Sequence, residues 1–435
     1  MTLAKTTNLS RATFCAWLAF LVLSQFLTFF LYMRAYQNPR WFINGTKLDL
    51  TDFSQFYQAG QLITSENAHR IYDPAVQEEW SIKFLAPTAP EGIFYNQTVP
   101  FVYLFCIPYG KLPYNLAYIA WCLTTQIMAF TALALLLKQN PDLKTSDKWL
   151  LLSGVLASVP CYLTVWHGQT TFLLVAAMSM CTAFALKNKD ILSGIFLSLS
   201  TVKPQYLLLP LASLAGLSRY KAVAACFICE AVLFALAGLF MGFENILKYP
   251  LILIHAENTD KFIGVNPQLM SSLRGALSLI MPHQTAMRIV CALLFLSLIP
   301  CALLMRKEPK EASLKAQCLR FKLAFVFTLA LVLSPHTHHF DCLLMAIPAA
   351  LTLKRVNPWA YIEAATTAPQ TLEASTWYRL WCLSLIFYPL LSWIFNFALG
   401  SHDFEGPFFL ALNTVLLISC AKVLQSVFKA VEQPS

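Results

Sequence analysis

From Tyr114 to Leu137 the chain runs without a single charged side chain, and similar runs recur along most of its length. A helix needs about 20 such residues to cross the roughly 30 Å of a bilayer's hydrocarbon core. No water reaches that core to satisfy backbone N–H and C=O groups, so a crossing segment must bond internally, as a helix does. The alternation over about ten residues that a membrane-barrel strand requires is absent. Composition agrees: 57% of residues are hydrophobic and 12% are charged, where a soluble domain carries about 25% charged residues. The pattern predicts an all-α polytopic protein forming one integral membrane domain over 1–435. About twelve transmembrane helices are expected near 12–33, 114–137, 149–165, 169–186, 190–202, 204–217, 222–241, 286–305, 323–334, 340–353, 381–399 and 407–425.

The first run follows Lys5 and Arg11. It is too long for a signal-peptide core and no small-residue cleavage site follows it, so it is expected to remain as a span. Four of the spans are short. The pair 190–202 and 204–217 is split at Lys203-Pro204, and the pair 323–334 and 340–353 at Ser334-Pro335-His336. A helix broken at membrane depth is tolerated where it lines a cavity or is buried in protein, so both breaks point toward a site. The apolar stretch 98–110, with Pro100 and Pro108, reads as a re-entrant segment. Most of the thirteen cysteines, among them Cys122 and Cys226, sit in apolar runs and read as small buried hydrophobes rather than disulfides or metal ligands.

Cytoplasmic loops carry an excess of Lys and Arg. With both termini cytoplasmic, the inner segments hold 20 Lys and Arg against 8 Asp and Glu, and the outer segments 11 against 13. The net charge of +9 thus reports topology, and no nucleic-acid partner is expected. All eight histidines fall on the outer side or its membrane edge. Two outer segments stand out, 34–113 and 242–285. The inner loops are short and no P-loop or Gly-rich phosphate loop is present, which argues against a nucleotide-driven machine.

In the first outer segment, apolar residues recur at Phe53, Phe56, Tyr57, Gly60 and Ile63, the spacing of a one-sided helix. An amphipathic helix on the outer membrane surface is expected. Asp52 at its start has two readings, an N-cap with Gln55 completing a capping box or a general base where a lipid-linked substrate arrives. Asp49 competes for the second role. Asp73, before Pro74, reads as a turn residue or a binding residue. Gln169 and His167 occupy a tight turn between two spans. Lys203 either snorkels to the interface or anchors a phosphate, and Glu230 reads as a pairing group inside the bundle. Arg274 is either a surface arginine or a phosphate clamp. The run Ser334 to Asp341 holds His336, His338 and His339. Adjacent loop histidines lack the i,i+4 spacing of helix zinc motifs, so no metal is assigned there, and bonding to phosphate or sugar hydroxyls is the favoured use.

Asp52-Phe53-x-x-Phe56-Tyr57-x-Ala59, Tyr72-Asp73-Pro74, the Pro100 segment, Gly168-Gln169, Ser200 to Pro204 with Lys203-Pro204, and Leu333-Ser334-Pro335 with its histidines follow one another in order. The set resembles glycosyltransferase family 87, a mannosyltransferase-like group with the GT-C fold, over about 50–400. Two departures are Asn96-Gln97-Thr98-Val99-Pro100 in place of a Pro-Pro-like element, and an extra histidine in the late motif. The resemblance implies a hexosyltransferase in the cell inner (plasma) membrane, active on the outer, periplasmic face. It further implies a polyprenyl-phosphate-linked sugar donor, such as a mannose donor, a glycan or glycolipid acceptor, and no cofactor. Asp52 is the matching catalytic base. Lys203, Arg274, His336, His338, His339, Gln169 and Asp73 are the candidates for binding donor phosphate or sugar. Inversion is expected, since one carboxylate suffices. The competing class is a transporter or flippase for a lipid-linked sugar, which calls for repeated halves with matching mid-span charges; no such repeat is visible.

Overall fold

In the computed structural model, the described residues are 52–86, 96–257, 266–309, 312–356, 375–398 and 405–429, together with 42–44, 47–49, 358, 361 and scattered positions between 15 and 33. Lys5 and Arg11, read above as flanking the first span, lie outside them.

Five helices among these residues are long and apolar enough to cross a membrane: Tyr114–Leu137, Tyr220–Met241, His283–Arg306, Leu314–Leu333 and Gly406–Phe428. A sixth span exists if Thr145–Leu156 and Val159–His167, bent by 50° at their junction, count as one. The chain is therefore a polytopic helical membrane protein. Tyr220–Met241 turns Phe227, Ile228, Val232, Leu239 and Phe240 outward, and His283–Arg306 does the same with Leu296, Ile299 and Leu303. Such continuous apolar faces suit lipid, not water. A small departure from an all-α chain is the two-stranded antiparallel hairpin Phe42–Asn44 and Lys47–Asp49.

The break at Lys203 takes the expected form: Asp190–Leu199 passes through short 3-10 turns on either side of Lys203 into Leu208–Gly216. The second break differs. The segment expected to start at 323 belongs to a 22-residue helix, Ala312–Leu333, followed by a 3-10 stretch His339–Met345 and the short helix Ala346–Thr352. The charges that shortened the expected span have partners. Arg320 donates to Asn140 at 2.7 Å and pairs with Asp142 at 2.9 Å, while buried Lys322 donates to the Met305 carbonyl at 3.1 Å and to that of Lys307. Glu230 accepts from the Thr201 hydroxyl, the expected pairing.

The segment around Phe53, expected on the outer surface, packs inward. Phe53–Leu62 forms with the expected start, yet it is buried on nearly every side and is not a surface helix. The reason is a close crossing with Pro100–Gly110. A Cβ on Gly60 would lie 2.3 Å from the Cys106 carbonyl oxygen, and one on Gly110 2.4 Å from the Gly60 carbonyl carbon. Small residues let two backbones meet in this way. The far side is covered by Tyr57 against Trp80, Phe84 and Tyr114. Asn96 locks the segment together, donating from its side-chain amide to the Gln55 carbonyl at 2.6 Å and from its backbone N–H to Gln77 Oε1 at 2.7 Å.

Candidate functional site

Asp52 precedes the first turn of Phe53–Leu62 but makes no side-chain cap. Its carboxylate accepts instead from Gln169 Nε2 at 2.6 Å, and His167 Nδ1 stands 3.7 Å away. The capping-box reading is therefore replaced by a tertiary contact spanning 117 positions of sequence.

The local reason is legible in atoms. Val159–His167 ends at Gly168, which takes the left-handed conformation at φ 63°. Glycine adopts that conformation without the steric cost a Cβ brings. A Cβ there would also meet Phe53 Cβ at 2.5 Å. Tyr118 donates to the Val165 carbonyl at 2.6 Å and Trp121 to the Gly168 carbonyl at 2.8 Å, so the turn is held from the Tyr114–Leu137 helix. Phe53 packs on the same two rings. The residue next to Asp52 and the residue next to Gln169 thus share one aromatic clamp.

Two positions beyond Gln169, Thr171 opens the next helix and donates to Asp341 Oδ1 at 2.7 Å. Lys203 pairs with the same oxygen, donates to Thr171 Oγ1 at 3.1 Å, and lies 4.6 Å over the Phe340 ring. Lys203 is neither snorkelling nor solvated: its side chain is 12% exposed and that of Asp341 1%. A buried ion pair is tolerated only when further hydrogen bonds satisfy it, and Thr171 supplies one.

The loop 334–338 closes the cluster. His336 and His338 rings lie 4.8 Å apart, and His338 stacks on Phe340 at 5.3 Å. His167 reaches Phe340 at 5.9 Å and buried His339 at 6.4 Å. Desolvation pulls both His336 and His338 down to about 3, helped at His336 by the charges of Arg274 and Lys203 and at His338 chiefly by His336. These two rings are neutral near pH 7 and can offer N–H groups but not charge. Arg274 is fully buried, which removes the surface-arginine reading, and donates to the Pro335 carbonyl at 2.9 Å. Its segment is zipped to the loop by Ser271 N–H donating to the Thr337 carbonyl at 2.8 Å and a Met270–His338 bridge.

The structure therefore gathers Asp52, Gln169, Lys203, Arg274, His336, His338 and His339 through a continuous chain of contacts. Asp73 is engaged in its own turn: it caps Pro74–Leu85 by accepting from Ala75 N–H at 2.9 Å and pairs with Arg70 at 2.6 Å. Those bonds hold its carboxyl below the usual range. Sequence reasoning missed Thr171 and the role of Asp341 as partner of Lys203. Nothing local links positions 203 and 341; only the pairing of two Pro-broken elements does.

No curated protein matches the chain. The profile of glycosyltransferase family 87 matches residues 99–335. The matched stretch contains Gln169, Lys203 and Arg274, and it ends one position before His336, with Asp52 lying ahead of it. The chain belongs to glycosyltransferase family 87, and with its spanning helices it is a membrane glycosyltransferase.

Proposed function

We propose that this protein moves a hexose, mannose being the foremost candidate, from a polyprenyl-phosphate donor to a glycan or glycolipid on the outer face of the plasma membrane. Asp52 is the general base. The acceptor hydroxyl oxygen attacks the anomeric carbon while the bond from that carbon to the phosphate oxygen breaks. Asp52 takes the hydroxyl proton, and the lipid phosphate leaves with the electron pair. A single displacement inverts the anomeric centre. The transition state is cation-like at the sugar, as in glycoside hydrolysis, and donors placed where negative charge develops on the leaving oxygen lower the barrier. Lys203 and Arg274 supply positive charge for that role, and His336, His338, His339 and Gln169 supply hydrogen bonds to phosphate or sugar.

The observation that carries this reading is the orientation of Asp52. A helix-start aspartate that caps nothing and instead faces a glutamine and a histidine from a distant turn suits a general base better than a folding role. In this reading the shorter helices complete a GT-C-like bundle of about twelve crossings, the segments 34–113 and 242–285 form the outer layer, and Pro100–Gly110 dips in without crossing. The termini are cytoplasmic. The test is a transfer assay with purified protein, offering labelled polyprenyl-phosphate hexoses and nucleotide hexoses side by side. Transfer from the lipid-linked donor alone is expected; transfer from the nucleotide sugar alone would overturn the donor assignment. Vesicle translocation of the donor without transfer would favour a flippase.

A further inference from the structure

At the opposite end of the bundle from this cluster in the topology above, three span helices leave a cavity of about 390 Å³. Its apolar walls are Leu304 from His283–Arg306, Phe325 from Ala312–Leu333, and Ala421 and Leu424 from Glu405–Lys429. Phe428 and Lys307 complete the lining with Gln425. The Phe428 ring carries two ammonium groups, Lys307 Nζ at 4.6 Å and Lys322 Nζ at 5.8 Å from its centroid. Lys322 is buried and spends its donors on the Met305 and Lys307 carbonyls, which neutralise none of its charge. Glu308, the acid whose field reaches Lys322, is itself held by Lys315 at 2.6 Å. Arg306 and Lys422 are exposed nearby in sequence. Further along the same two helices, Leu296, Ile299 and Leu303 are exposed on His283–Arg306, as are Val415 and Ile418 on Glu405–Lys429.

A cationic cavity flanked by exposed apolar helix faces matches a lipid in both its parts. A buried ammonium such as Lys322, with no carboxylate in contact among the described residues, is costly unless an anion approaches, and basic pockets between spans on the Lys- and Arg-rich side suit anionic headgroups. We propose that this cavity binds the phosphate headgroup of an anionic phospholipid of the leaflet facing the basic loops, with one acyl chain along the exposed Leu296, Ile299 and Leu303 of His283–Arg306. The site shares no residue with the sugar-transfer cluster; it rests on the topology of the proposed function but not on its chemistry.

The test uses the full chain in neutral detergent, with binding followed by native mass spectrometry. Phosphatidylglycerol is compared with phosphatidylcholine of the same acyl chains, and inorganic phosphate is added as competitor. Wild-type protein should retain phosphatidylglycerol about tenfold more tightly. Lys307→Gln should weaken that preference about fivefold, the contribution of one cation near an anionic lipid. Ala421→Trp should abolish it by filling the cavity with no change of charge, while Lys187→Gln, an exposed cation elsewhere on the basic face, should leave it intact. Equal retention of the two lipids, an unchanged preference in Lys307→Gln, an equal loss in Lys187→Gln, or full displacement by millimolar phosphate would each overturn the proposal. Thermal unfolding checks that each variant is folded, and should Ala421→Trp misfold, the two lysine variants decide.

Discussion

Gly168→Ala tests whether the Gly168 turn holds the catalytic geometry. A methyl at position 168 meets two obstacles. The backbone sits at φ 63°, where a residue with a Cβ is disfavoured by about 1–2 kcal/mol. The new Cβ also falls 2.5 Å from Phe53 Cβ, well inside the roughly 3.5–4.0 Å at which carbon atoms rest. Phe53 is fully buried among Tyr57, Tyr114, Tyr118 and Trp121, so relief requires moving the start of its helix, and overpacking of this kind costs about 1–3 kcal/mol. The expected destabilisation is about 2–5 kcal/mol, read as a lower unfolding temperature in detergent. Asp52 is the next residue, so its 2.6 Å bond to Gln169 should be lost, and a misplacement of about 1 Å can lower turnover about a hundredfold. Phe53→Leu in the same chain should recover part of the packing loss but none of the backbone cost. Wild-type stability and turnover in Gly168→Ala would refute the claim that this turn positions the base.

Three further outcomes follow from other parts of the molecule. Lys203→Gln should destabilise the fold by about 3 kcal/mol or more, because it leaves Asp341 buried without its counter-charge; Lys203→Met combined with Asp341→Leu should recover stability in thermal unfolding while transfer stays absent, separating the structural from the chemical role. His336 and His338 have folded values of about 3 against 6.5 when unfolded, so the unfolded chain binds more protons between these limits. Their effect on stability is nil above about pH 6.5 and grows more unfavourable as the pH falls toward 3, at most about 1.4 kcal/mol per pH unit for each ring; the unfolding temperature should drop between pH 7 and pH 5, less so in His336→Gln, and a flat profile would contradict the burial argument. Asp73→Ala should cost about 1 kcal/mol through the lost cap and leave turnover unchanged, and a large loss of turnover would return Asp73 to the binding site.

The helices were readable because solvent leaves its mark directly on sequence. Tyr114–Leu137 carries no charge, and its ends in the structure are those expected. Ala312–Leu333 was misjudged for the complementary reason: Arg320 and Lys322 look like loop residues until Asn140, Asp142 and two backbone carbonyls are seen to meet them. Burial of Phe53–Leu62 was hidden as well. Its stripe of Phe56, Tyr57 and Gly60 fits a surface helix, while the burial comes from the Gly60–Gly110 crossing on one side and from Trp80, Phe84 and Tyr114 around Tyr57 on the other. Within the candidate cluster, Gln169, Lys203 and His336 stand out in the sequence because a broken helix or a tight turn between spans needs a reason. Thr171 and Asp341 were not singled out because a threonine at a helix start, and one acid after three histidines, become a lysine clamp only when two breaks distant in sequence are brought together.

The central claim is that Asp52 takes the acceptor proton. The most direct measurement compares wild type with Asp52→Asn in transfer from a labelled polyprenyl-phosphate hexose under single-turnover conditions. Asn is nearly the same shape and can keep a hydrogen bond to Gln169 but cannot act as the base. Donor binding within about twofold of wild type, an unchanged unfolding temperature and a transfer rate lower by at least about a hundredfold, within the usual reach of general-base catalysis, are predicted. A folded Asp52→Asn protein that transfers at the wild-type rate would contradict the account.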